Sequence, residues 1–214
     1  RMVKIGRDLQ MVMKEKYFWP LAAWMFFVGA GRFGFVSLWA GPYLMDVYRF
    51  SKPAVGNILS MFPLAMVFAG PFLGYVSDKV LVSRKKVIVA TSIVYVACWL
   101  MMLFCHDSLP LCLLYLFFFF LGAMGTGVLP IGYAATKELF TGEVAGISIG
   151  AVNLFPFLGG VVAQPLIGFI LDKGGKIGTH YPSSAYHSVI LMYVFISILN
   201  LIAVFLTKET LRKQ

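Results

Sequence analysis

Pro71-Phe72-Leu73-Gly74-Tyr75-Val76-Ser77-Asp78-Lys79 and, 94 residues later, Pro165-Leu166-Ile167-Gly168-Phe169-Ile170-Leu171-Asp172-Lys173 both read P-x-x-G-x-x-x-D-K. Each closes a long apolar segment, and each is preceded by a Phe-Pro pair, Phe62-Pro63 and Phe155-Pro156. Any helix that ends at an interface can finish on Asp and Lys. Matched identities at equivalent helix positions argue instead for an internal duplication.

Composition sets the medium in which that duplication folds. Of the 214 residues, 60% are apolar and 13% are charged, whereas a soluble domain carries about 25% charge. The chain belongs in a bilayer. Six segments are long enough to cross a hydrocarbon core, which takes about 20 mostly apolar helical residues. They lie near residues 18–46, 53–77, 86–105, 109–136, 144–171 and 185–207. Internal breakers such as Gly29, Pro63, Gly127, Pro130 and Pro156 are tolerated in membranes, where neighbouring helices satisfy the freed backbone groups. Residues 1–16 form a basic, partly amphipathic segment, and residues 17–214 a six-helix bundle. The first apolar segment is too long for a signal-peptide core.

Lysine and arginine placement predicts orientation. With both ends cytoplasmic, thirteen cations fall inside (Arg1, Lys4, Arg7, Lys14, Lys16, Lys79, Arg84, Lys85, Lys86, Lys137, Lys208, Arg212, Lys213) against Arg49, Lys52, Lys173 and Lys176 outside. That is a positive-inside bias. The net charge of +9 then follows from topology and calls for no nucleic-acid partner; anionic lipid headgroups are the expected neighbours. In this orientation the second helix runs inward and the fifth outward, so three helices are followed by three of inverted topology, a recurrent construction among secondary transporters.

Gly74, Asp78 and Lys79, followed by the basic run Arg84-Lys85-Lys86, resemble the loop signature of the major facilitator superfamily. Val80, Leu81, Val82 and Ser83 stand where that family has a shorter turn with a glycine. The resemblance implies that the glycine allows close helix packing and that Asp78 engages a neighbouring helix terminus and the basic run as the bundle rocks. It also implies a twelve-helix fold in two six-helix halves. This chain supplies one half, and its first residue, Arg1, suggests a piece of a longer protein. The segment from Arg1 to Lys16 is similar to the linker between halves. The first span, with Phe18-Trp19-Pro20 and Trp39-Ala40-Gly41-Pro42-Tyr43-Leu44, is similar to the seventh helix of a bacterial member. The fifth, with Asn153, Gly159-Gly160, Gln164-Pro165 and Gly168, is similar to the eleventh. The chain therefore reads as a C-terminal half.

Arg32 is the one cation within a span. It lies 14 residues from the segment start, about 21 Å along a helix at ~1.5 Å per residue, too deep to snorkel easily. An arginine there costs at least about 2.5–3.5 kcal/mol unless it faces water or a partner. Gly29, Gly31 and Gly34 leave room beside it for a ligand or for another backbone. A guanidinium holds carboxylate or phosphate in bidentate fashion, so an anionic solute is one partner; a carboxylate or helix C-terminus of the missing half is the other. Asn57, Asn153, Gln164, Asn200, Thr126 and Tyr133 could line a cavity or serve as interhelical hydrogen-bond partners. Asn153 and Gln164 stand out because the fifth span is richest in glycine and proline.

The remaining features point to no other chemistry. No acidic residue lies deep in a span. His106, His180 and His187 read as surface histidines without metal-ligand spacing. Trp19, Tyr43, Tyr48, Tyr75, Tyr181 and Tyr186 suit interfacial anchoring. Cys98, Cys105 and Cys112 read as buried free thiols. There is no phosphate loop, nucleophile elbow or paired-carboxylate constellation, hence no expectation of an enzyme, a metal or a cofactor. The expected function is secondary-active transport of a small anionic organic metabolite by alternating access in a bacterial inner membrane. The expected partner is an N-terminal half or a second copy. A membrane sensor or assembly module built on the same scaffold is the alternative.

Overall fold

The computed structural model describes residues 2–211; Arg1, Arg212 and Lys213, which the positive-inside count includes, lie outside them. Helix α1 (Met2–Lys14) precedes six helices long and apolar enough to cross a membrane. These are α2 (Phe18–Tyr48), α3 (Lys52–Val80), α4 (Arg84–Cys105), α5 (Leu111–Glu138), α6 (Glu143–Lys173) and α7 (Ser183–Phe205). Their ends fall within three residues of the hydropathy boundaries. Extended pairing among the described residues is confined to one bridge, Ile177 with His180. The chain is an all-α membrane protein.

Three of the long helices break just ahead of a proline, α5 among them at Gly127–Val128 before Pro130. A prolyl ring has no N–H to give and crowds the carbonyl one turn back. Both α3 and α6 are interrupted three residues before the proline of their Phe-Pro pair, at Ser60 and at Asn153. The Ser60 hydroxyl caps the break by donating to the Asn57 carbonyl at 2.7 Å. Pro71 and Pro165, by contrast, sit inside continuous helix.

Three stretches are wound more widely, as π-helix: Ala30–Trp39 in α2, Val76–Val80 at the end of α3 and Leu121–Thr126 in α5. Such winding is rare and concentrates at functional sites. In α2 it is supported from outside. The Tyr193 hydroxyl donates to the Ala30 carbonyl at 2.9 Å and the Gln164 amide to the Phe33 carbonyl at 2.8 Å, while Ser37 bonds back to the Arg32 carbonyl at 2.8 Å.

Helix α6 lies along α2, and α7 packs against both α4 and α2. The α2–α6 contact is backbone to backbone. A Cβ at Gly29 would stand 2.0 Å from the Pro156 carbonyl oxygen, and one at Gly159 would stand 2.0 Å from that of Phe26. The space beside Arg32 left open by glycine is therefore filled by helix, with Ala163 against Gly34 and the Tyr95 hydroxyl against Gly31. Two apolar layers complete the core. Phe35, Trp99, Tyr193, Tyr43 and Tyr186 fill the half remote from the termini, with Trp99 stacked on Tyr193 at 4.4 Å. Phe18, Trp24, Met25, Ile131 and Val204 fill the half near them. Tyr43 and Tyr186 are fully buried and not interfacial anchors; each has a polar partner inside the bundle, which a buried phenol needs. Cys98 is buried but Cys112 is exposed, because it opens α5 at the bundle's end.

Candidate functional site

Arg32 occupies the π-wound part of α2, half-buried, with its guanidinium 4.7 Å from the centre of the Phe33 ring. The guanidinium is near enough to act electrostatically on the Tyr133 hydroxyl of α5. That hydroxyl donates to Asn153 Oδ1 at 2.6 Å, and Asn153 is the residue at which α6 breaks. Counted from the helix ends nearest the termini (Glu138, Glu143, Phe18), Tyr133, Asn153 and Arg32 lie about 8, 15 and 21 Å deep at ~1.5 Å per residue. They form a polar ladder through otherwise apolar helices. Phe33 stacks on Phe157 of α6 at 4.9 Å, giving the ladder one apolar wall.

The other sequence candidates fall elsewhere. Gln164 has its amide committed to the Phe33 carbonyl, and its own backbone carbonyl accepts from Trp39 Nε1 at 3.2 Å. In this structure it joins α6 to α2. Asn57 is exposed near the remote end of α3, about 16 Å from Arg32 along the bundle axis by helix rise. Asn200 is buried and donates to the Trp24 carbonyl at 3.1 Å.

At the end of the bundle that carries both termini, Asp78, Arg84 and Glu138 form one network. Arg84 Nη1 pairs with Asp78, and Nη2 meets Glu138 Oε1 at 3.1 Å; the Arg84 side chain is only 12% exposed. Ser77 Oγ accepts from the same guanidinium at 3.0 Å. Glu209, beyond α7, accepts from the Ser83 hydroxyl and from the Arg84 backbone N–H at 3.0 Å. Burial pushes the Glu209 carboxyl up, but the bonds from Ser83 and the N–H groups of Leu211, Arg84 and Lys85 bring it below its ordinary value. Lys85 Nζ donates to the carbonyls of Phe205 and Thr207 at 2.8 and 2.6 Å, where a cation also complements the helix dipole. Lys79 and Lys86 are exposed.

Among the described residues Gly74 meets no neighbouring helix, since a Cβ there would find nothing within 4 Å; it lies on a face that the six helices leave open. The turn without a glycine is closed by Val82 at φ 44°, a left-handed conformation unfavourable for a β-branched residue.

At the remote end, Asp46 is 10% exposed and accepts from His180 Nδ1 at 2.6 Å, the Tyr181 N–H at 3.2 Å and the Tyr186 hydroxyl at 2.8 Å. Asp172, from the second copy of the duplicated string, accepts from the Tyr181 hydroxyl at 2.6 Å. His106 Nε2 meets Ser183 Oγ at 2.9 Å, and the Tyr43 hydroxyl donates to the His106 carbonyl. His106 and His180 are thus network members and not isolated surface histidines. Sequence reasoning had no signal for Glu138, Glu209, Asp46 or Tyr193 as partners, because each bond spans more than 50 residues.

A family model described as Major Facilitator Superfamily matches residues 21–214. The chain belongs to the major facilitator superfamily. This is a family of membrane transporters, and the Asp78–Arg84 pair falls where the resemblance to its loop signature places an Asp and a basic run. The chain is also 31% identical over 191 residues to the inner membrane protein YihN of Escherichia coli (strain K12), an alignment covering 80% of this chain and 41% of that protein. It thus spans less than half the length of the curated relative it matches.

Proposed function

We propose that this chain is the C-terminal half of a secondary-active transporter that moves a small anionic organic metabolite by alternating access. The observation that carries this reading is the Arg32–Tyr133–Asn153 ladder. Arg32 supplies a fixed positive charge at mid-depth, where a carboxylate or phosphate can be held bidentately in low dielectric. Tyr133 and Asn153 supply a hydroxyl and an amide at the adjoining depth, able to exchange their mutual bond for bonds to a solute. Gln164 holds the π-wound turn that presents Arg32, and Asn57 is a second polar contact nearer the remote face. Because Asn153 is also the break in α6, solute contact there acts on the helix at the point where it bends.

Further features support the arrangement of the whole. Helices α3 and α6 bury least of the six: 28% and 33% of their most apolar windows, against 44–56% for the rest. Their exposed residues, among them Phe68 and Phe72 on one and Val161 and Phe169 on the other, offer a surface for an N-terminal six-helix half, with a second copy of this chain as the other candidate. The shared Phe-Pro break in α3 and α6 supports an inverted 3+3 repeat. The cation bias supports cytoplasmic placement of both ends, and the similarity to an inner membrane protein supports a bacterial inner membrane. Asp78, Lys79, Arg84, Lys85 and Lys86, with Gly74, form the cytoplasmic gate, in which Arg84 is the exchangeable centre.

Uptake of carboxylate and phosphate metabolites into proteoliposomes holding the full-length protein tests the site. Arg32→Ala should lower uptake about 30-fold or more, matching the ~2 kcal/mol of one charge-assisted hydrogen bond, with Arg32→Lys intermediate. Unchanged uptake at normal expression would remove Arg32 from the substrate site and favour a structural pairing.

A further inference from the structure

A cavity of about 600 Å³ opens on the terminus-bearing end, between the α1–α2 connection, the end of α5 and the segment after α7. Lys14, Lys16, Tyr17 and Lys208 line it. Lys16 and Lys208, from opposite ends of the chain, both place Nζ over the Tyr17 ring, at 5.0 and 5.2 Å from its centre. Two ammonium groups gathered on one ring repel each other, and the ring quadrupole offsets only part of that.

The carboxylates of the lining, Glu15, Glu138 and Glu209, keep their charge, but none forms an ion pair with these lysines. Glu15 accepts from the Tyr17 N–H, Glu138 from Arg84 and Thr210, and Glu209 from Ser83 and the Arg84 N–H. Among the described residues no carboxylate pairs with Lys14, Lys16 or Lys208. Three lysines without an ion-pair partner therefore flank a space with room for a polyatomic anion, while the carboxylates of the lining are turned to other donors.

We propose that this cavity binds an anionic phosphate ester, through Lys14, Lys16 and Lys208 with Tyr17 as their platform. Lysine serves as a point charge for phosphate and needs no planar fork. The surroundings are those of a membrane interface: Trp19 is exposed beside the cavity and donates Nε1 to the Met13 carbonyl, and α1 exposes Leu9, Met11 and Met13. A phospholipid headgroup can present the phosphate there with its acyl chains along the bundle, and a soluble phosphate ester can present the same group from the aqueous side. The site rests on the membrane placement of the helices and is independent of Arg32.

Native mass spectrometry of the detergent-purified full-length protein with phosphatidylglycerol or phosphatidylcholine tests this. The wild type should retain phosphatidylglycerol in preference. The triple Lys→Gln variant at positions 14, 16 and 208 should lose at least about tenfold of that preference, since each cation near an anionic surface is worth about fivefold; the triple Lys→Arg variant should keep it. Displacement of the lipid by glycerol phosphate at millimolar concentration identifies a soluble ester as ligand, and persistence of the lipid identifies the headgroup. Equal retention by the triple Gln variant and the wild type overturns the site. Should the triple variant fail to fold, Lys208→Gln alone decides, with about a fivefold loss expected and no loss overturning the proposal.

Discussion

The two ends of the bundle are fastened by opposite devices. At the end that carries the termini, a nearly buried guanidinium, Arg84, sits among the carboxylates of Asp78 and Glu138. At the remote end, a nearly buried carboxylate, Asp46, sits among an imidazole, a phenol and a backbone N–H. The first keeps its central charge at every pH and has carboxylates on two helices to choose from, so partners can be exchanged as helices move. The second has a single acceptor for three donors, all on the loop before α7 and its first turn, so it joins one stretch of chain to the end of α2. The duplicated string shows the same divergence: Asp78 is matched to a cation, Asp172 to the Tyr181 hydroxyl.

Removing each centre tests whether the contrast is real. Arg84→Ala should have the largest effect, about 3 kcal/mol, because it leaves Glu138 partly buried without its counter-charge; the exposure of Asp78 keeps the loss from being larger. Thermal unfolding of the full-length protein reads it, and a loss below that of Asp46→Ala would reverse the ranking. Asp46→Ala strands three donors and should cost about 2 kcal/mol, with Asp46→Asn recovering part of it.

Smaller changes sharpen the comparison. Val82→Gly relieves the left-handed strain in the turn between Asp78 and Arg84 and should raise stability by about 1 kcal/mol; a fall would mean that Val82 packing outweighs its backbone strain. The weakest effect is that of pH. Glu209, with its carboxyl held below its ordinary value, contributes stability that is full above about pH 4.3, the unfolded value, and is lost as pH falls through the folded one. In Glu209→Gln that part of the acid-induced decline should disappear from the melting curve.

The fold was legible because its determinants are local. Continuous hydropathy marks the six spans, and Pro63, Pro130 and Pro156 each follow one of the three breaks, at Ser60, Gly127–Val128 and Asn153. Arg32 stood out as a cation where none is tolerated without reason. What stayed hidden depends on distant partners. The π winding of α2 needs Tyr193 and Gln164, more than 130 residues away, to hold its carbonyls. Glycines at 29 and 34 signal that something comes close, but only tertiary structure shows that it is Pro156 and Ala163. Tyr43 and Tyr186 lie at span ends in sequence yet point inward, because Asp46 and the His106 carbonyl await them.

The widened stretch Ala30–Trp39 also makes α2 a screw with slack in its thread. Each π turn takes up one more residue than an α turn, so tightening one of them would rotate the rest of the helix by about 100° and advance it by about 1.5 Å. Arg32 lies within the slack, and Asp46 lies beyond it. Release of the Tyr193 and Gln164 bonds at the centre would therefore be felt at the remote fastening as torque.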